Sequence, residues 1–133
     1  GTVFDELGDL DRAIADYGQS IRLSPKDSRA YSNRALSWLK KGDWERSKND
    51  IERAFSLNRE DSRAHCNAAL LFWNWKKSKD LALRHVELCF RHGEFQPKDF
   101  DAFFDEAREE ARLTKGLSNT EEFRALVDKY RNR

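Results

Sequence analysis

The chain of 133 residues contains no methionine, not even at position 1. It is therefore expected to be a piece of a longer protein or a processed chain. Cysteine is confined to Cys66 and Cys89, which is no framework for a small disulfide-stapled domain. Proline occurs only as Pro25 and Pro97. No stretch alternates apolar and polar residues in the manner of a strand, so the chain is predicted to be nearly all helix. No apolar run approaches the ~18 residues that a membrane helix needs, and the N-terminus lacks the basic-then-apolar pattern of a secretory signal. An excess of one charge is lacking too. Charged residues make up 37% of the chain, yet the net charge is +1. Interspersed charges of both signs exclude an electrostatic bias toward nucleic acid or anionic lipid. From these absences the expected setting is cytoplasmic, with neither membrane nor nucleic acid among the partners.

What is present is repetition. Asp27-Ser28-Arg29-Ala30 returns as Asp61-Ser62-Arg63-Ala64, followed at the same offset of 34 by Asn33 and Asn67, then Ala35 and Ala69. Gly8-Asp9 and Gly42-Asp43 keep that offset, as do the bulky series Phe4, Trp38, Phe72 and the small pair Ser20, Ala54. Alternating bulky and small positions let two helices approach and interlock. A glycine can end one helix in the left-handed region, and the aspartate after it can cap the next. The predicted helices are 1–7, 11–23, 28–41, 44–57, 62–76 and 79–91. Beyond them Phe100, Phe103, Phe104, Ala107 and Ala111 keep helical spacing, as do Phe123, Leu126, Val127 and Tyr130. Pro97 at a helix start and a capping box over 119–122 frame these last two helices.

On these residues the chain resembles the tetratricopeptide repeat (TPR), a helix–turn–helix unit of 34 residues. The resemblance spans roughly 1–93. It implies an all-α fold, an α-solenoid of antiparallel helix pairs closed by a C-terminal capping pair that shields the last apolar face. The units are expected at 1–27 (truncated, Gly1 falling on the small position of Ala35), 28–61, 62–95 (diverged) and 96–133. In the diverged unit Lys76-Lys77 replace the Gly-Asp turn, and Leu81-Ala82 straddle the small position.

The resemblance also implies a concave groove lined by the first helix of each pair. By the family pattern it comprises Arg29, Ser32, Asn33, Leu36, Leu39 and Lys40, then Arg63, Cys66, Asn67, Leu70, Trp73 and Asn74, with Thr2, Asp5 and Glu6 from the truncated unit. The expected partner site is Arg29, Asn33, Leu36, Lys40, Arg63, Asn67, Leu70 and Trp73. Leu36, Leu70 and Trp73 would form an apolar floor, and Arg29 and Arg63 a basic edge suited to a peptide with an acidic flank. The expected function is a module or scaffold that binds another polypeptide. One alternative is a structural spacer or self-association domain of a larger protein, using the open N-terminal repeat edge. Another is a chaperone-tail-binding co-chaperone domain. The stretch YSNRALSWLKKGDW, 31–44, is similar to the middle repeat of such domains, whose Lys, Asn and Arg clamp a C-terminal carboxylate. Asn33 matches the middle Asn and Arg63 stands at a Lys site, but Thr2 occupies an Asn site and Asn67 an Arg site.

Other chemistries find plainer readings. His85, Cys89 and His92 share one helix face, and His65 and Cys66 begin the partner helix, a set that a soft metal accepts. Small buried cysteines and core histidines account for the same pattern, so no metal or other cofactor is expected. Asp101, Asp105, Glu106, Glu109 and Glu110 read as a solvated acidic face beside Arg108 and Arg112. No phosphate loop, nucleophile elbow or zinc-enzyme helix motif occurs, and no enzyme activity is expected. Lys76, Lys77 and Lys79 beside Trp73 and Trp75 have the composition of a nucleic-acid patch, against a net charge near zero and the core duties of the rings.

Overall fold

The computed structural model describes residues 3–93 and 111–131. Among the described residues there are only helices: α1 Val3–Leu23, α2 Ser28–Lys41, α3 Trp44–Leu57, α4 Ser62–Asn74, α5 Lys79–His92, a short α6 Ala111–Thr114 and α7 Glu121–Arg131. The fold is all-α, as the periodicity predicts. None of these helices is long and apolar enough to cross a membrane. Of the helix expected after Pro97, Phe100, Phe103, Phe104, Ala107 and the acidic cluster lie outside the described residues.

The repeat chemistry sets the helix ends. Asp27 Oδ1 accepts the N–H of Arg29 at 3.0 Å, and Asp61 Oδ1 accepts that of Ala64 at 3.0 Å. Asp43 Oδ1 accepts the N–H of Arg46 at 3.2 Å. Each satisfies a donor that the first helical turn leaves without an intrahelical partner. Between α2 and α3, Gly42 takes φ +81°. Its N–H bonds Leu39 O at 3.0 Å, and Asp43 N–H bonds Trp38 O at 2.9 Å, the paired closure that only a left-handed residue permits. The last helix departs from expectation by one residue. Its cap is Thr120, whose Oγ1 accepts Phe123 N–H at 3.2 Å, rather than Asn119.

The predicted turn at Gly8-Asp9 is absent. One helix, α1, runs through it. Continuing the helix adds one backbone hydrogen bond for each residue fixed. That gain outweighs the ~1 kcal/mol cost of a helical glycine.

The third unit keeps its helix pair by lengthening its turn. Lys77 takes the left-handed φ of 54°, one residue beyond the Gly42 equivalent, and Ser78 N–H reaches back to Phe72 O at 2.9 Å. Ser78 caps α5, so α5 runs at an offset of 35 from α3. This resolves the straddled small position. Ala82 stands where Ser47 stands and is fully buried, whereas Leu81 turns outward at 40% exposure. By the same register Val86 takes the place of Ile51, and Cys89 that of Ala54. His85 therefore replaces Asp50, not Ile51.

Cys89 meets Cys66 across the pair, and the two sulfurs are bonded, with Cα atoms 5.3 Å apart. This corrects the expectation of two unpaired cysteines. Two apolar clusters share α4. Ala35, Leu39, Ile51, Ala68 and Leu71 pack with Leu113. Ala69, Ala82, Val86, Cys89 and Phe90 pack with Leu117, Phe123 and Val127. The C-terminal residues thus close the stack and also reach across the face of α4.

Candidate partner-binding groove

Helices α2 and α4 lie side by side, and polar struts fix their spacing. Ser32 Oγ donates to Asp61 Oδ2 at 2.8 Å, and Asn67 Nδ2 donates to Ser32 O at 2.6 Å. Asn67 is 2% exposed, so it is a buried strut and not a groove residue. Its amide satisfies a main-chain carbonyl of the neighbouring helix, which an open groove would leave to water. Leu39 and Ser32, also expected on the groove face, are fully buried. The side chains of Thr2, Asp5 and Glu6 lie outside the described set.

The polar end of the face is open. Arg29 and Arg63 are exposed. Arg29 donates Nε to Asp27 Oδ1 at 3.1 Å and Nη2 to Asp27 Oδ2 at 3.0 Å, and these bonds hold the Asp27 carboxyl below its ordinary range. Arg63 Nη1 donates to Asn33 Oδ1. The two residues that match a carboxylate clamp are thereby bonded to each other across α2 and α4. Lys40 is half-buried near the other end of α2.

The apolar end is covered. Leu36 and Leu70 are half-buried against the cluster that contains Leu113. Trp73 Nε1 donates to Lys115 O at 2.9 Å, and Asn74 Nδ2 donates to Leu113 O at 2.7 Å. Of the expected floor, Leu36 and Leu70 pack on the cluster that contains Leu113 and Trp73 on the cluster that contains Leu117. Trp75 carries the Lys76 ammonium 3.9 Å from its ring centre, and Lys79 pairs with Glu122 at 2.9 Å. The Lys/Trp patch is thus engaged within the chain.

One cluster went unread in the sequence, and another was read only as a candidate metal set. Asp50 is 5% exposed and accepts Arg34 Nε at 2.7 Å, Arg34 Nη2 at 2.8 Å and Trp38 Nε1 at 3.0 Å. It ties α3 to α2. One pair later, His65 and His85 bring their Nδ1 atoms to 3.0 Å, and His65 Nε2 lies 3.0 Å from Arg59 O. Burial pushes both imidazoles down, His85 to about 4. The cysteines of the metal reading are bonded to each other and offer no thiolate. The offset of 35 from Asp43 to Ser78, and from Glu45 to Asp80, would have aligned His85 with Asp50.

Paired antiparallel helices stacked side by side, with caps and small crossings at fixed intervals, define a helical repeat protein. Residues 1–42 match the family model for the TPR repeat, and the all-α fold of paired helices is consistent with a solenoid of such repeats. The matched stretch runs through Gly8-Asp9, where α1 is unbroken. No curated protein matches the chain. Repeats of this family generally mediate protein–protein interaction and are typically non-catalytic.

Proposed function

We propose that the chain is a binding module that holds a partner polypeptide along α2 and α4, with an acidic flank of the partner on Arg29 and Arg63. One observation carries this reading. Two exposed arginines stand one helical turn or less inside the N-termini of adjacent helices, where the helix dipoles add positive potential. Asn33 lies between them as an adjustable amide. No turnover is involved; affinity comes from surface complementarity on a rigid frame. The test is binding of acidic peptides, followed by fluorescence anisotropy. Arg29→Glu with Arg63→Glu should abolish capture and leave helical content unchanged, because both side chains are exposed. Undiminished binding by a folded double variant would sink the acidic-flank assignment.

A second reading is favoured by the packing of Leu113 into the cluster that Leu36 and Leu70 border. A face covered by its own chain suits a structural spacer, or a domain that self-associates through the open side of α1. Sedimentation separates the two. A monomer that captures peptides supports the module, and a concentration-dependent dimer that captures none supports the spacer.

A further inference from the structure

Residues 113–117, Leu-Thr-Lys-Gly-Leu, lie on α4 in the manner of a bound peptide. Two side chains of α4 grip their main chain: Asn74 Nδ2 bonds Leu113 O at 2.7 Å and Trp73 Nε1 bonds Lys115 O at 2.9 Å. Bonds to main-chain carbonyls hold a segment whatever its sequence, and side-chain pockets then select. Leu113 and Leu117 fill two different pockets, at 2% and 0% exposure. Gly116 is selected twice over. Its φ is +87°, and an added Cβ would stand 3.2 Å from Trp73 Cζ2. Lys115 between the anchors is exposed. The turn is also closed by its own bonds, Leu117 N–H to Thr114 O at 3.0 Å and Ser118 N–H to the same oxygen at 3.2 Å. A short peptide can therefore adopt this shape without the rest of the chain.

We infer that the α4 end of the groove is a recognition site for Leu-x-x-Gly-Leu, that residues 113–117 are its resident ligand, and that a partner carrying this pattern binds by displacing them. The inference rests on the reading of this face as a polypeptide site, and adds which sequence it takes. An apolar floor alone accepts many side chains. The indole against Gly116 is what restricts the choice, since any other residue must both adopt a left-handed φ and push the ring aside.

The test uses the full chain and a synthetic peptide of residues 111–119. The resident copy lowers the apparent affinity by the fraction of time that the site is closed. In a Gly116→Val chain, whose own copy no longer fits, the peptide should bind tighter by about tenfold or more. Peptides with valine for the glycine, or serine for either leucine, should not bind. A folded Gly116→Val chain that ignores the peptide overturns the proposal. Should that variant fail to fold, the unaltered chain decides by hydrogen exchange. At saturating peptide, amides of 113–131 must exchange faster while α2–α5 stay protected, and unchanged exchange overturns it equally. Acidic-peptide capture that depends on Arg63, found alongside no Leu-x-x-Gly-Leu binding, sinks this inference and leaves the function standing. The reverse result sinks only the acidic flank.

Discussion

His65 and His85 show how one hydrogen bond fixes the titration of a pair. Arg59 O can only accept, so the proton of neutral His65 sits on Nε2. Its Nδ1 then accepts, and His85 must donate from Nδ1 across 3.0 Å. The rings pack against Phe55 and Phe72, with centroids at 4.6 Å for Phe55–His65 and 5.4 Å for Phe72–His85. Burial is the first cause that lowers His85 from 6.5 to about 4, followed by the nearby His65 and Arg84. Because the folded pKa is depressed, the unfolded chain binds more protons between these values. Stability is full above pH 6.5 and is lost as pH falls toward 4. Urea midpoints at pH 7 and pH 5 should show the drop. In His85→Phe the drop should shrink, with a lower midpoint at pH 7 because His65 Nδ1 loses its donor. Asp50 gives a second residue-scale prediction. Asp50→Ala leaves the Arg34 guanidinium half-buried without its bidentate partner, and should cost about 3 kcal/mol in denaturant unfolding. Spacing grouped the histidines only as a metal set, and the Asp50 cluster was not legible from the chain. Asp50 sits among charged neighbours in a helix whose inward face is otherwise small and apolar, and a buried acid is visible only once its donors, 12 and 16 residues earlier, are folded against it.

At the scale of elements, caps and crossings were legible and exceptions to the period were not. α2 and α3 start and end where the Asp caps and Gly42 place them, because those signals act within a few residues. Gly8 carries the same local signal as Gly42, yet α1 runs through it unbroken. In α5 the offset of 34 misplaces every inward residue by one, since Lys77 and not Lys76 takes the left-handed φ. The Cys66–Cys89 bond follows from that shift. It brings Cys89 to the crossing where Ala54 stands in the preceding pair, opposite the residue that replaces Ser32. A bond between residues 23 apart in sequence removes roughly 3 kcal/mol of chain entropy from the unfolded state. Reduction with a thiol should therefore lower the stability of the chain by about 2–3 kcal/mol, read as a fall in melting temperature. The Cys66→Ala, Cys89→Ala double variant should melt at that lower temperature and no longer respond to thiol. A chain that melts identically with and without thiol would show that the bond does not stabilise the pair.

For the whole molecule the question is which surfaces belong to the frame and which to the groove. The frame is α2–α5, held by the Ala35, Leu39, Ile51 and Leu71 packing, by the Asp50 ties and by the Asn67 strut. Leu36 and Leu70 lie outside that set, half-buried against the cluster that contains Leu113. Family geometry alone places both on an open floor, and from it Leu36→Glu with Leu70→Glu would leave the melting temperature untouched. The resident segment changes the expectation. Each glutamate strips apolar cover from the cluster that contains Leu113 and puts a carboxylate against it. Half-burial of two leucines is worth about 1–1.5 kcal/mol each, so the double variant should lose about 2–3 kcal/mol. The loss should be local. Amide exchange should accelerate over 113–131 while α2–α5 keep their protection, and far-UV helicity should fall only by the share of α6 and α7. Peptide capture at the α4 end should disappear with it. If α2–α5 lose protection together with 113–131, then Leu36 and Leu70 are part of the frame. The C-terminal segment would then be core, and the spacer reading would take precedence over the binding module.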